Sequence, residues 1–163
     1  MVIVIAGVSG SGKTTVGRAL AARLGWEFYD ADDFHAAANV ERMRRGEALD
    51  DADRHPWLLR VRRLIEDAIA KRAGAVVACS ALKAQYRSVL GEALDEVQFV
   101  FVHADADVLR ARLENRPGHF AGAALLDSQL ETLELPPDGL VLDASLSVDQ
   151  LVDLIVSTRT LQP

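Results

Sequence analysis

Short apolar runs alternate along this chain with longer stretches in which apolar residues return every three or four positions. Val2-Ile3-Val4-Ile5-Ala6, Ala75-Val76-Val77-Ala78-Cys79, Val97 to Val102 and Leu140-Val141-Leu142 are runs of the first kind, and Trp26 to Tyr29 is a shorter one. A strand covered on both faces has no polar side to display, so unbroken hydrophobicity predicts buried strands of a parallel sheet. Between the runs, Val16, Leu20 and Leu24 keep four-residue spacing until Gly25, which suits the left-handed residue that ends a helix. A second helix is expected around Asn39 to Arg45, closed by Gly46. The stripe Trp57, Val61, Leu64, Ile65, Ala68 and Ile69 predicts a stronger helix with Pro56 in its first turn. Asp105 is placed to cap a helix carrying Val108, Leu109 and Leu113, which Pro117 terminates. Ser147 and Gln150 have capping-box spacing for a last helix with Leu151, Leu154 and Ile155. Strands and helices alternating in this way predict an α/β sandwich on a mostly parallel sheet.

Composition narrows the class without naming it. The chain has 163 residues, the size of one domain with a full core, and no internal repeat or linker divides 1–163. A net charge of −6 is unsuited to gripping a phosphate backbone, so no nucleic-acid partner is expected. The opening MVIVIAGV lacks a basic flank and is too short to span a bilayer, so no membrane partner is expected either. A lone Cys79 forms no internal disulfide, which is compatible with a reducing cytoplasm, and its place at the end of an apolar run marks it as a small core residue. The expectation is a soluble, cytoplasmic protein.

Candidate chemistry starts at Gly7-Val8-Ser9-Gly10-Ser11-Gly12-Lys13-Thr14, between a buried strand and an amphipathic helix. It satisfies the phosphate-loop pattern in the required context. Glycines at 7, 10 and 12 let the backbone curl until successive N–H groups face one point, and the helix start adds its positive end there. Gly7, Ser9, Gly10, Ser11, Gly12, Lys13, Thr14 and Thr15 are thus expected to bind ATP, with Lys13 on the β/γ-phosphates and Thr14 on Mg²⁺. No Gly-x-Gly-x-x-Gly occurs here, which excludes the dinucleotide reading.

Past the second strand lies Tyr29-Asp30-Ala31-Asp32-Asp33-Phe34-His35, on the edge where open α/β sheets bind ligands. A carboxylate at this place can orient a hydroxyl and take its proton during phosphoryl transfer. Asp32 is the candidate base and Asp30 the candidate metal neighbour. A solvated acidic turn that caps the next helix is the plainer alternative.

From here the motifs run in an order that resembles the gluconokinases, a shikimate-kinase-like group of P-loop kinases. The matching segments are Asp30 to His35, Asn39-Val40-Glu41-Arg42-Met43, Gly46 to Arg54, Pro56-Trp57-Leu58, Cys79-Ser80-Ala81-Leu82-Lys83 with Tyr86-Arg87, Gly118-His119-Phe120, and Ser128 to Glu134. They cover about residues 3 to 143. The phosphate loop is common to many families; the Cys79 to Lys83 and Gly118 to Phe120 segments discriminate far better.

The resemblance implies a five-stranded parallel sheet with helices on both faces, and a mobile lid over approximately 115–126. It also implies a homodimer, and a reaction that passes a phosphoryl group from ATP to D-gluconate. Such an acceptor needs a cation for its carboxylate, and Arg54, Lys83 and Arg87 are the basic residues of these motifs, although each alone is an ordinary surface charge. Ser80, His35, His119 and Gln129 are further substrate candidates. Arg112 and Arg116, four apart on one helix, are expected near ATP, with Arg116 stabilising the transferring group. The third strand ends Ala78-Cys79-Ser80 without the acid a motor ATPase places there. Mg²⁺ would then rely on Thr14, water and Asp30. Two readings stay open beside gluconokinase: a kinase for another small acceptor, such as a shikimate-like acid or a nucleoside monophosphate, and an ATP-binding regulatory module without transfer.

Overall fold

The computed structural model describes residues 1–114 and 120–160. Five strands, β1 (Val2–Ala6), β2 (Glu27–Asp30), β3 (Ala75–Cys79), β4 (Val97–His103) and β5 (Leu140–Asp143), form one sheet in the order β2-β3-β1-β4-β5. Every neighbouring pair is parallel. β1 sits at the centre, with Ile3 beside Val76 on one side and Gln98 on the other, and all five of its residues are buried. That is the structural meaning of its unbroken apolar run.

Seven helices, α1 (Lys13–Leu24), α2 (Ala37–Arg44), α3 (Asp51–Ala70), α4 (Ala84–Leu90), α5 (Ala106–Glu114), α6 (Phe120–Thr132) and α7 (Val148–Thr160), connect the strands among the described residues. Alternate residues of each strand serve different cores. Ile3, Ile5, Val76, Val100 and Val102 pack with Val16 and Leu20 of α1, Leu109 of α5, Leu126 of α6 and Ile155 of α7. Val2, Val4, Val77 and Phe101 point the other way, onto Trp57, Val61 and Ile65 of α3 and Leu90 of α4. The result is the expected three-layer sandwich, and parallel strands bring all five carboxyl ends to one edge.

Several boundaries follow from local chemistry. Gly25 ends α1 at φ 67°, where its N–H reaches the carbonyls of Ala21 and Ala22. Ser147 and Gln150 exchange both capping-box bonds at α7, at 3.2 and 3.0 Å. The start of α3 departs from expectation. Pro56 lies inside the helix instead of in its first turn. Asp50 caps a turn earlier, its carboxylate accepting from the Asp53 N–H at 2.7 Å while the Asp53 carboxylate accepts from the Asp50 N–H. This capping box offsets the bond that proline cannot donate.

Trp57 ties this helix to the edge of the sheet. Its buried indole N–H donates to the Ala31 carbonyl at 2.7 Å, and its ring stacks on His35 with centroids 4.3 Å apart and planes 11° from parallel. The turn after β2 is therefore held from beneath. Trp57→Phe leaves the Ala31 oxygen buried without its donor and opens space in the core. We expect a loss of about 2–4 kcal/mol in urea unfolding; a loss below about 1 kcal/mol would show that the indole is not what fixes the turn.

Candidate active site

The loop after β1 is a ring of unsatisfied donors. Gly7, Gly10 and Gly12 take φ of 147°, 80° and 96°, conformations that residues with a Cβ rarely adopt. Among the described residues, the amides of Gly10, Gly12, Thr14 and Thr15 have no hydrogen-bond partner. Orphan N–H groups at a curled loop and a helix start make an anion site. The Ser11 hydroxyl is buried in the same curl, also without a partner there. Lys13 folds back over the loop and donates to the Val8 carbonyl at 2.9 Å.

The loop meets the acidic turn directly. The Thr14 hydroxyl donates to the Asp30 carboxylate at 3.0 Å, and the other Asp30 oxygen accepts from the Asp32 N–H at 3.2 Å. Residues Ala31–Phe34 form one 3₁₀ turn, capped by Asp30, that presents Asp32 at the mouth of the cleft. Asp32 is open to solvent on one side and crowded by protein on the others. Desolvation raises its pKa, Lys13 and Arg54 oppose the rise, and Asp30 and Asp33 add to it. The base candidate thus feels both a loop cation, Lys13, and a second cation, Arg54. Beside it, desolvation first and then Arg54 and Arg60 push the pKa of His35 down to about 4, so His35 is neutral at pH 7. Its Nδ1 is buried and unpartnered among the described residues.

Arg54 also lines an open pocket of about 510 Å³, with Asp51, Lys83, Tyr86, Ser128 and Thr132 on its other walls. That volume suits a small ligand. Asp51 organises one wall. It accepts from Lys83 at 2.8 and 2.9 Å, from Gln85 at 2.9 Å and from the Tyr86 hydroxyl. These donors, Lys83 foremost, bring its pKa down to about 2. Lys83 is therefore already paired. Arg54 spends its Nε on the Leu49 carbonyl at 3.1 Å and lies over the Tyr86 ring, and its two terminal nitrogens have no acceptor among the described residues. Of the cations on the pocket wall, Arg54 has the open guanidinium fork, the geometry that meets a carboxylate through two bonds.

The structure brings together Lys13, Thr14, Asp30, Asp32, His35 and Arg54, and places Lys83 on the pocket wall. It does not bring Arg87 there. That guanidinium is 4 % exposed, bonded to Glu92 at 2.8 Å and the Glu134 carbonyl at 2.8 Å, and packed over Phe101. Arg87 is a buried tie, not an open cation. Ser80 contributes its backbone carbonyl, which accepts from the Gly7 N–H at 3.3 Å. Ser9 has its N–H committed to the Gln129 side-chain oxygen at 2.7 Å, so Gln129 reaches the phosphate loop instead of the pocket wall. Arg112 donates to the Ala144 carbonyl at 2.6 Å, in the loop after β5. Arg116 and His119 lie outside the described residues. From Phe120 the expected lid segment is the first part of α6. Burial pushes the Cys79 thiol up to about 12, which makes it inert as a nucleophile.

Sequence reasoning missed Asp51, Ser128 and Thr132. Asp51 lay in the Gly46 to Arg54 segment, but nothing in its spacing pointed to a residue 32 positions away.

A β1–loop–α1 phosphate cradle facing a carboxylate and a small polar pocket defines a P-loop kinase of small molecules. The family model described as AAA domain matches residues 2–136. A gluconokinase of Gluconobacter oxydans (strain 621H) is 49% identical over 83% of this chain and 76% of its own. A probable gluconokinase of Xenopus tropicalis is 44% identical over 96% and 90%. The crystal structure of an unliganded sugar kinase from Janibacter sp. HTCC2649 superposes with a TM-score of 0.91 at 41% identity, covering 99% of this chain and 95% of that one. A shikimate kinase from Aquifex aeolicus, 18% identical with a TM-score of 0.58 over 98% and 96%, shares the fold alone. The chain belongs to the gluconokinase family.

An ionised Asp32 with a raised pKa costs stability at neutral pH, because the unfolded chain holds that charge in water. The penalty is present above the folded pKa and disappears as pH falls to the ordinary carboxylate value. Asp32→Asn should therefore raise Tm at pH 7.5, and the gain should shrink to nothing toward pH 3.5. A variant less stable than the wild type at pH 7.5 would contradict a desolvated, charged Asp32.

Proposed function

We propose that this protein is a gluconokinase: it transfers the γ-phosphoryl group of ATP to the terminal hydroxyl of D-gluconate, giving ADP and 6-phospho-D-gluconate. The observation that carries the reading is Asp32 within electrostatic reach of both Lys13 of the phosphate loop and Arg54, which lines the polar pocket. Relatives that bear the name gluconokinase, 49% and 44% identical to this chain, support the choice of acceptor.

The loop amides of Gly10, Gly12, Thr14 and Thr15, with Lys13, hold the triphosphate. Arg54 meets the acceptor's carboxylate with its open fork and so fixes which end of the acid faces Asp32. Asp32 orients the terminal hydroxyl and takes its proton as the oxygen attacks phosphorus in line. Its raised pKa makes it a stronger base than a free carboxylate. His35, neutral and stacked on Trp57 beside Asp32, is a hydrogen-bonding group for a substrate hydroxyl, and Ser80 lies next to the loop. Thr14 and Asp30 are oxygen donors that already share a hydrogen bond, which fits a hard cation, and they would hold the magnesium ion that neutralises β- and γ-phosphate charge when bound. Arg112, fixed on the loop after β5, belongs to the nucleotide side, and Arg116 to the transferring group.

The same reading includes a lid over about residues 115–126, a homodimer and a cytoplasmic location, each supported by resemblance to the family. No described helix is long and apolar enough to cross a membrane.

ADP release should be followed with purified protein, MgATP and a panel of gluconate, shikimate and nucleoside monophosphates. Turnover with gluconate is expected to dominate; turnover with shikimate alone would replace the acceptor. Asp32→Ala should lower kcat by about 10²–10⁴-fold while ATP still binds. Arg54→Met should raise KM for gluconate about 10- to 100-fold, the effect of losing a charge-assisted bond, with kcat less affected.

A further inference from the structure

Helix α6 touches three parts of the site at once. Ser128 and Thr132, one turn apart, line the acceptor pocket. Gln129, between them in sequence, points off that face and accepts the Ser9 N–H at 2.7 Å. Just past the helix, the Glu134 N–H donates to the Leu82 carbonyl at 2.8 Å, and its carboxylate accepts from the Ala84 N–H at 2.7 Å. Those bonds bracket Lys83 on the pocket wall. Helix α6 and the residue two positions past its end thus link the phosphate loop, the acceptor pocket and the segment after β3.

The bond at Ser9 is the sensitive one. Ser9 lies between Gly7 and Gly10, both at positive φ. Among the described residues the side chain of Gln129 is the partner of its N–H. Among the described residues, the loop crest is otherwise tied by the Ser11 N–H donating to Val8 at 3.3 Å and by Lys13 donating to Val8 at 2.9 Å.

We propose that Gln129 is a positioning residue that couples acceptor binding to nucleotide binding. On the gluconokinase reading, on which this rests, an acceptor seated against Ser128 and Thr132 packs on α6 and holds Gln129 in place, and Gln129 in turn holds Ser9 in the shape that receives the triphosphate. The nucleotide then meets a loop held in its receiving shape, so the two ligands bind with positive cooperativity. By linkage the nucleotide tightens acceptor binding by the same factor. Gln129 touches neither ligand in this role. It keeps donor and acceptor at a fixed separation, which phosphoryl transfer in line requires.

The test is calorimetric titration of the full chain with the non-hydrolysable analogue AMPPNP and magnesium, with and without saturating gluconate. For the wild type, gluconate should tighten AMPPNP by at least about fivefold. Gln129→Met keeps the side chain's length and removes the oxygen to which Ser9 donates; the factor should fall close to one, whatever the change in AMPPNP affinity alone. Gln129→Glu restores an oxygen and should recover the factor, although its charge weakens AMPPNP in both titrations. A merely structural glutamine would lower Tm and both affinities without touching their ratio. A Gln129→Met factor equal to that of the wild type overturns the proposal, as does a wild type without coupling. Failure of gluconate to bind the wild type at all would instead remove the acceptor reading, and this inference with it.

Discussion

The site depends on a residue that has no side chain. A Cβ on Gly7 would lie 2.4 Å from the Val102 carbonyl oxygen and 2.8 Å from the Ser11 hydroxyl, closer than atoms can approach. Glycine alone lets the chain leave the central strand at φ 147° and turn back over β4 into the loop. Because β1 is wholly buried and paired on both sides, the start of that turn cannot shift to relieve a clash. Two consequences follow in order. The loop amides converge on one point, and Thr14, at the start of α1, comes within hydrogen-bonding distance of Asp30 at the end of β2. The second half of the site hangs on that contact, since Asp30 caps the turn that carries Asp32.

Asp32 shows what the arrangement costs. A carboxylate crowded by protein on all but one side, with Asp30 and Asp33 as neighbours, is less comfortable charged than it would be in water. Lys13 and Arg54 only partly offset this. Trp57 and the Asp50 capping box hold the surrounding elements rigidly enough that the turn cannot swing out to relieve the strain. Stability given up at a candidate base and recovered in the packing beneath it is a common division in enzymes.

The donor half was legible in the sequence because backbone geometry dictates residue type there. Glycine is required by the close approach at position 7 and favoured by positive φ at 10 and 12, and the phosphate-loop pattern adds a lysine and a hydroxyl residue at Lys13 and Thr14. The strands were legible for a related reason: burial on both faces leaves continuous apolar runs. Where sequence reasoning fell short, the missing information was tertiary. Pro56 looked like a helix start because proline is commonest there, yet a capping box six residues earlier outweighed it. Helix α4 went unread since Ala84–Leu90 is short, and its cap comes from Glu134, far along the chain. Arg87 and Arg54 are indistinguishable as letters in motif segments. One is closed in by Glu92 and Phe101, and the other keeps an open fork. The same holds for Gln129, whose position in the motif was visible but whose partner, 120 residues away, was not.

The central claim is that the cradle at Gly7 to Thr14 and the base at Asp32 act on one acceptor, the far end of a sugar acid whose carboxylate is held by Arg54. Phosphorus NMR of the product formed from MgATP and gluconate tests this most directly. The account predicts a phosphomonoester whose phosphorus couples to the two protons of the terminal methylene. An ester on any inner carbon, or inorganic phosphate with gluconate unchanged, would contradict it.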